Sequence, residues 1–194
     1  NANGAMTQDK NKGITSITNN ALNLPLITDI KSPVAEARNE YTYTATGQKI
    51  KVVQKWNPSF STAPVIGSAI NTTLLTQSKT TDYAGNKIYE NGVLKKILTD
   101  NGYYESGIYY FYIKDHLGNN RIVSNQTSDV VQSTQYYPFG MAFADATSST
   151  IQPYKYSGKE LDVMHGLNQY DVEARYYDPG YIRFTSIDPL AEKY

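Results

Sequence analysis

Short tyrosine-bearing segments alternate with glycine-bearing turns along most of the chain, and this pattern limits the possible folds more than any other feature. Tyrosine is the dominant aromatic residue, with 18 Tyr against 5 Phe and 1 Trp. A tyrosine ring packs on a half-buried sheet face while its hydroxyl reaches water or backbone. No window longer than about ten residues has a helical hydrophobic period free of Gly and Pro. The sequence therefore predicts an all-β fold built from short strands.

The turns between these segments share one chemistry. Asn-Gly and related pairs favour the positive φ angles of tight hairpins. A spacing of several tens of residues between turn glycines is typical of repeat architectures, in which a unit too small to bury its own face stacks on its neighbours. We therefore expect consecutive antiparallel hairpins in one twisted, curved sheet. The turn glycines that recur in this way are Gly4, Gly47, Gly85, Gly118 and Gly158.

Two regions interrupt the hairpin pattern. Residues 31–40 predict a loop or a brief helical turn, with Ser32 as its cap. Residues 57–80 are rich in Ser and Thr, and they predict a long connection or an insertion. The chain is accordingly divided into a hairpin ribbon over residues 1–143 and a compact C-terminal domain over residues 144–194, which opens with an Ala, Ser and Thr-rich loop.

Composition narrows the classes of partner and cofactor. The net charge is zero, with 18 basic and 18 acidic residues, so there is no electrostatic reason to expect nucleic acid as a partner. No apolar run reaches the length of about 18 residues that a membrane span needs. Cysteine is absent and only 2 His are present, so we expect no disulfide, no metal site and no cofactor. Asp82 and Asp100 lie near turns, but neither belongs to a spaced calcium-binding loop.

Three stretches resemble the tyrosine–aspartate (YD) repeats of the RHS (rearrangement hotspot) superfamily. Residues 41–48, YTYTATGQ, resemble one repeat with Thr44 in the aspartate position. Residues 114–121, KDHLGNNR, together with QYYPFG at 135–140, resemble the last repeat before the RHS core. Residues 166–189 resemble the RHS repeat-associated core signature itself, and the residues that follow are similar to those of Bacteroidetes members. The last two matches are long ordered strings, which makes them more specific than a dipeptide.

The resemblance implies both a fold and a role. In this family a continuous β-sheet ribbon spirals into a hollow shell, the core plugs one end, and a variable C-terminal region, often a toxin, follows. Members are secreted or displayed on the bacterial cell surface and act in competition or adhesion. The resemblance thus implies a structural shell or carrier fragment without catalytic activity of its own. Its partners would be the remainder of its polypeptide, or a neighbouring protein that completes the sheet, and any C-terminal cargo.

The core-like stretch carries the candidate site residues. Many family members cleave themselves at an aspartate centre. The resemblance implies that Asp188, oriented by Arg183 and helped by Asp178, is a remnant of that centre. Two carboxylates that share a proton can act as an acid–base pair. The alternative is that each Asp caps its own turn and pairs with an arginine. That alternative is favoured, since the rest of such a centre is not in the sequence. The expected structural core consists of Tyr170, Asp171, Arg175, Tyr177, Pro179 and Phe184.

The core-like stretch departs from the family pattern at Glu173 and Ile182, where the family usually carries glycine. Glycine permits tight backbone turns, so we expect altered turns at both positions. The chain also stops just after the first of two Asp-Pro motifs, and the family's cleavage point lies at the second motif, some way beyond the first. The cleavage point and any cargo are therefore expected beyond residue 194, and the hairpins present are expected to be too few to close a shell.

Two other functions stay open at this point. A surface binding module would recognise a glycan or a partner protein through a sheet edge or through the tyrosines of residues 103–113, although cross-strand tyrosine ladders explain the same residues structurally. An incomplete aspartate-dependent autoprotease would hold two carboxylates within hydrogen-bonding distance. His116 and His165 are interpreted as turn residues rather than general bases.

Overall fold

The computed structural model describes residues 1–60, 68–146, 152–188 and 191. Twelve strands form one antiparallel sheet, in which the order of the strands is their order in the sequence. They are β1 Ile14–Asn19, β2 Pro25–Ser32, β3 Ala35–Tyr43, β4 Lys49–Trp56, β5 Gln77–Ala84, β6 Lys87–Glu90, β7 Val93–Thr99, β8 Gly102–Glu105, β9 Ile108–Lys114, β10 Asn120–Asn125, β11 Val130–Tyr136 and β12 Ala142–Ala146.

Four shorter strands form a second antiparallel sheet: β13 Glu160–Asp162, β14 Gln169–Asp171, β15 Tyr176–Asp178 and β16 Arg183–Phe184. We call the region that contains them, residues 152–188, the plug. Three short 3₁₀ turns complete the regular structure of the described residues, at Thr72–Leu74, Tyr156–Gly158 and Met164–Gly166. The predicted fold class is confirmed.

The plug covers one face of the large sheet. Leu167 lies in a buried apolar cluster with four residues of β1, β2 and β3, and Trp56 packs against that cluster. Leu167 is 3% exposed, and burying a leucine side chain contributes about 2 kcal/mol. The four sheet residues are Ile14, Ile30, Ala35 and Ala37. The main apolar core therefore lies between the first three strands and the plug.

The loop or helical turn predicted for residues 31–40 is wrong. β2 and β3 pair directly, and Ser32 opposite Ala35 closes their hairpin. Ser32 does act as a cap, because its Oγ accepts the backbone N–H groups of Val34 and Ala35 at 3.3 and 3.2 Å. The buried face of β3 carries Ala35, Ala37 and Asn39, which are residue types of low strand propensity. This is why the alternation was not recognised from the sequence.

The connection predicted over residues 57–80 is shorter in the structure. β4 ends at Trp56 and β5 begins at Gln77. Between them the side chain of Asn71 caps the 3₁₀ turn by accepting the N–H of Thr73, and residues 61–67 lie outside the described residues. β12 crosses the border placed at residue 143, and most of the loop predicted after it lies outside the described residues. The division into two domains stays a prediction.

Among the glycines that the structure describes, Gly102 has the least space around it. A Cβ at this position would lie 1.9 Å from the carbonyl oxygen of Tyr110 on the neighbouring strand. The same close approach brings the rings of Tyr103 and Tyr110 into a stack with 4.6 Å between their centres. Glycine at residue 102 therefore permits β8 and β9 to pair with their tyrosine ladder intact.

We predict that Gly102→Ala lowers the free energy of unfolding by about 2–3 kcal/mol, because the backbone of β9 must move to accommodate the methyl group. Gly85→Ala is the matched control. Gly85 lies in a turn with φ +62° and nothing within 4 Å of an added Cβ. Alanine there should lower the free energy of unfolding by about 1 kcal/mol, because only its left-handed backbone is unfavourable. Urea unfolding measures both losses. Equal losses would show that the contact with Tyr110 is not what requires glycine.

Candidate functional site

Tyrosines of the plug attach it to the chain just before β12. Tyr170 is 1% exposed, and its hydroxyl donates to the carbonyl of Gly140 at 3.0 Å. Tyr177 donates in the same way to the carbonyl of Phe139, also at 3.0 Å. Tyr176, which precedes Tyr177 in β15 and pairs with Asp171, is buried. Tyr170 and Tyr177 thus have structural contacts with backbone.

Asp178 is a buried carboxylate, and its contacts with the described residues are structural ones. Its Oδ2 pairs with Nζ of Lys12 at 2.5 Å. Its Oδ1 accepts the backbone N–H groups of Gly180 and Tyr181 at 2.9 and 3.3 Å, which caps the turn that begins at the buried Pro179. Removing one partner of such a buried ion pair destabilises the fold, because the other charge is left buried without a counter-charge. Asp178 therefore links the plug to the N-terminal segment.

Asp188 has a different basic partner. Nη2 of Arg175 lies 2.8 Å from Oδ2 of Asp188, and the Arg175 guanidinium lies over the Phe184 ring at 3.7 Å. Arg183, in contrast, lies over the ring of Tyr181 at 5.5 Å. Arg175 rather than Arg183 therefore orients Asp188, which corrects the role assigned to Arg183. The catalytic role of the two aspartates stays a prediction, and Pro189 lies outside the described residues.

Glu173 and Ile182 occupy turns of the kind that glycine normally forms. Their φ angles are +63° and +59°, which is the left-handed region that glycine enters without cost. The expectation that the turns themselves would change was wrong. The side chain of Ile182 is 51% exposed, so burial does not compensate for the strained backbone of this β-branched residue.

We predict that Ile182→Gly raises the free energy of unfolding by about 1 kcal/mol, because it relieves a left-handed β-branched residue. Val163→Gly is the control for removal of an exposed aliphatic side chain, since Val163 is 49% exposed with φ −97°. That control should be neutral or destabilising, because glycine adds entropy to the unfolded chain. Chemical denaturation compares the two, and a loss of stability in Ile182→Gly would refute the strain at this turn.

A buried charge cluster joins the sheet to the plug, and the sequence analysis missed it. Lys49 begins β4, and its Nζ lies 3.0 Å from Oε2 of Glu160 and 2.8 Å from Oδ2 of Asp171. The hydroxyl of Tyr83 donates to both oxygens of Glu160, at 2.8 and 3.0 Å. The Tyr83 ring lies 4.8 Å from the Lys49 ammonium. We call Lys49, Glu160, Asp171 and Tyr83 the Lys49 cluster.

Burial and charge act in opposite directions on Lys49, whose side chain is 9% exposed. Burial acts to lower its pKa, but Tyr176, Glu160, Tyr83 and Asp171 raise it well above the ordinary value. Burial, together with Glu160, also raises the pKa of Tyr83 far above its ordinary value. Tyr83 therefore remains a hydroxyl donor to Glu160 throughout the physiological pH range.

Asp162 and His165 lie near this junction, and burial favours the neutral form of both. It raises the pKa of Asp162 to about 6 from an ordinary 3.8, and it lowers the pKa of His165 to about 4 from 6.5. His165 packs against the ring of Trp56 at 5.8 Å between ring centres. Its Nδ1 lies 3.3 Å from the side-chain oxygen of Asn39. His165 is therefore a packed junction residue.

The Lys49 cluster borders a cavity of about 610 Å³ between the large sheet and the plug. Charged residues of the sheet line it, among them Lys79, Lys96 and Glu105, and the plug contributes Asp162. Among the described residues no group of three or more His, Asp or Glu side chains is arranged to hold a metal ion. Nor do they include a helix with the length and hydrophobicity needed to span a membrane.

The sequence carried little signal for this cluster. Lys49 and Glu160 are separated by 111 residues, and Lys49 stands among other lysines on a polar strand. Asp171 was singled out only as part of the core-like stretch. A sequence pattern shows that a strand has charged positions, but it does not show which position will face a second sheet. Sequence alone therefore could not select Lys49 from its neighbours Lys51 and Lys55.

Comparison with known proteins shows the fold. No family model matches the chain. One curated relative, the Salivary gland surface protein 1 of Aedes aegypti, is 33% identical over 93 residues, which is 47% of this chain and 3% of that protein. The match therefore covers a small part of a much longer protein.

Several solved structures share the architecture over nearly the whole chain. The TcdB2–TccC3–TEV structure has a TM-score of 0.70 at 18% identity and covers 92% of this chain and 9% of its own. TcdB2–TccC3 gives 0.68 at 17% identity, with the same coverage of both chains. The Photorhabdus luminescens Tc holotoxin pore gives 0.68 at 15% identity, over 91% of this chain and 9% of that one. The protein has the sheet fold of these toxin-complex chains, and it spans about a tenth of their length.

We predict that Asp162→Asn removes a pH dependence of stability. In the parent, the folded carboxyl keeps its proton to a higher pH than the unfolded one, so its contribution to stability falls as the pH rises from about 4 to about 6 and stays lower above that. Asn is neutral and retains the oxygen that accepts the N–H of Met164, at 3.0 Å in the parent. The variant should therefore gain about 1–3 kcal/mol relative to the parent between pH 4 and pH 7.

Urea titrations of both proteins across this pH range measure the difference. His165 acts in the opposite direction, since its lowered pKa makes the fold more stable as the pH rises from about 4 to about 6.5. This contribution is common to both proteins and cancels in the difference. A difference that stays constant with pH would contradict a raised pKa for Asp162.

Proposed function

We propose that the chain is a structural part of the shell of a secreted or surface-displayed bacterial RHS/YD-repeat protein of the polymorphic-toxin type. The observation that carries the proposal is the strand order. In the part of the chain that the structure describes, twelve strands follow one another in a single sheet without a crossover, and a compact four-stranded plug covers one face. A sheet of this order can be widened by adding hairpins. The RHS-like sequence stretches, which include the Bacteroidetes-like ending and the core signature, support the same assignment.

The width of the sheet indicates how much of a shell the chain supplies. Twelve strands spaced by about 4.8 Å give a ribbon about 58 Å wide. A cargo domain of about 100 residues has a radius of about 17 Å, and a one-sheet wall around it has a circumference of about 140 Å at mid-wall. The twelve strands cover less than half of that. The rest of the polypeptide or a neighbouring protein would supply the remaining strands.

The N-terminal edge of the sheet is attached to the plug. Residues before β1 run beside that strand, where the N–H of Ile17 donates to the carbonyl of Thr7 at 2.7 Å and Asp9 bridges to Ile14. The N–H of Met6 donates to the carbonyl of Thr185 in the plug at 2.8 Å. In the proposed shell this contact holds the plug at one end of the ribbon. The role is structural, without turnover of a substrate.

A surface binding function is the second candidate, and one specific observation favours it. β9 exposes three large apolar side chains in a row: Tyr109, Phe111 and Ile113 are 53%, 47% and 54% exposed. The alternate residues of this strand face the side on which Val123 is buried. A row of aromatic and aliphatic groups on the outer face suits a glycan or a partner protein. This surface is compatible with a shell, because it points away from the plug.

The shell proposal predicts that the C-terminal region of the natural polypeptide is protected from protease. A specific protease site placed in that region should resist cleavage in native buffer and be cleaved after denaturation, because the sheet wall excludes the protease. The same site inserted in the exposed Asn91–Gly92 turn is the control and should be cleaved at once. Protection can be followed by gel electrophoresis over time.

Equal cleavage at the two positions would argue against enclosure. If a glycan array or a pull-down then gave binding that Phe111→Ser abolished, the surface binding function would be the better assignment. If Phe111→Ser changed neither the protection of the C-terminal protease site nor the binding of a glycan or partner protein, the shell would remain the function of this chain.

A further inference from the structure

Lys49 and Asp171 have the geometry of a pair that can become covalently joined. We propose that the Lys49 amine and the Asp171 carboxyl form an intramolecular isopeptide bond, with Glu160 as the group that transfers the proton. The bond would join β4 of the large sheet to β14 of the plug. This modification site is independent of the proposed shell function.

Three contacts place the reacting groups. Nζ of Lys49 lies 2.8 Å from Oδ2 of Asp171 and 3.0 Å from Oε2 of Glu160. Oδ1 of Asp171 accepts the backbone N–H of Glu173 at 2.9 Å. The amine, the carboxyl and a second carboxylate therefore meet at one point. Holding two reactants in contact in this way is equivalent to a very high local concentration, and it removes most of the entropic barrier to their reaction.

The surroundings of the three groups also favour amide formation. The side chains of Lys49, Asp171 and Glu160 are 9%, 14% and 20% exposed, and the Tyr83 ring lies 4.8 Å from the Lys49 ammonium. Separated charges are costly in such a setting, whereas an amide is neutral. Conversion of the ion pair to an amide therefore removes two charges from a buried position.

The reaction balances without any added reagent. Lys49 gives one ammonium proton to Glu160, and the free amine attacks Cγ of Asp171. Negative charge develops on Oδ1, where the N–H of Glu173 stabilises it as an oxyanion donor. Glu160 then returns the proton to Oδ2, which leaves as water with a second proton from the nitrogen. One C–N bond forms, one C–O bond breaks, and ammonium plus carboxylate become amide plus water.

The role of Glu160 follows from its hydrogen bonds. The hydroxyl of Tyr83 donates to both of its oxygens, which holds the carboxylate in position beside Nζ. A carboxylate within hydrogen-bonding distance of the proton that it takes is the arrangement required of a general base. Asp171, with its second oxygen on a backbone N–H, is correspondingly the acyl group.

The chain contains a matched internal control. Lys12 and Asp178 form another buried lysine–aspartate pair, with 2.5 Å between Nζ and Oδ2. Asp178 also has backbone N–H donors on its second oxygen. The other contacts of the Lys12 ammonium among the described residues are the carbonyls of Leu167 and Asn168 and the ring of Tyr181, none of which can transfer a proton. We therefore expect this pair to remain unlinked.

Mass spectrometry of the denatured parent chain tests the proposal directly. The intact mass should be lower than the sequence mass by one water molecule. After digestion, one cross-linked species should join the peptide that contains Lys49 to the peptide that contains Asp171, and peptides with Lys12 and Asp178 should be unmodified. Fragmentation of the cross-linked species identifies the two residues.

Variants then test the role of Glu160. Glu160→Gln should have the full sequence mass, because the amide side chain cannot take the proton, and circular dichroism checks that it is folded. Glu105→Gln is the control. It removes the carboxylate that pairs with Lys95 and Lys96, and it should retain the cross-link. A folded Glu160→Gln chain that is fully cross-linked would overturn the assigned proton transfer.

Three results would overturn the proposal as a whole. A parent chain with its full sequence mass would show that Lys49 and Asp171 form an ion pair only. A cross-link from Lys49 to Glu160 would reverse the roles of the two acids. A loss of water confined to a single peptide would identify a different modification.

Discussion

The structure depends on the need to cover one face of a sheet whose hairpins are each too small to bury their own side chains. Strand pairing satisfies the backbone of twelve successive strands, but it leaves an apolar face on the first three. The plug covers that face, with Leu167 seated among residues of β1, β2 and β3. Hydrophobic burial of this kind has no preferred direction. Polar contacts therefore have to determine where the plug is seated.

Three buried ion pairs, formed by two lysines, supply that direction. Lys12 reaches Asp178, and Lys49 reaches Glu160 and Asp171, and all three acids belong to the plug. Each lysine comes from the large sheet or from the segment before it, and each acid comes from the plug. Buried ion pairs add little net stability, but a wrong arrangement that leaves one charge unpaired is costly. The pairs thus select one seating of the plug among many that would bury similar apolar area.

The same arrangement explains why the acidic residues of the core-like stretch belong to the structure. Asp178 and Asp188 stand ten residues apart in a stretch rich in Arg and Tyr, which is the composition of a catalytic centre. In the fold, however, Asp178 faces Lys12 and Asp188 faces Arg175. The carboxylates that do meet at one amine are Glu160 and Asp171, and only one of these was recognised in the sequence. Reactive geometry in this protein lies at the junction of two sheets.

Local features of the sequence were sufficient for the strands and turns, because alternation and turn chemistry act between near neighbours. The all-β class and the hairpin order follow from them, whereas the compact C-terminal plug was expected from the resemblance to RHS proteins. The hairpin at Ser32 was missed because alanine and asparagine occupy its buried positions. The left-handed backbone of Glu173 and Ile182 was also missed, because the fold around a turn can impose a conformation that the residue itself disfavours.

The sequence by itself determined that this protein is a ribbon of tyrosine-rich hairpins with a plug at its end. Only the tertiary structure decided which charged side chains meet. Lys49 and Glu160 are 111 residues apart, and their contact requires two sheets to pack with one particular face and register. Secondary structure depends on contacts between neighbours in the chain, whereas the pairing of buried charges depends on how whole sheets are seated on one another.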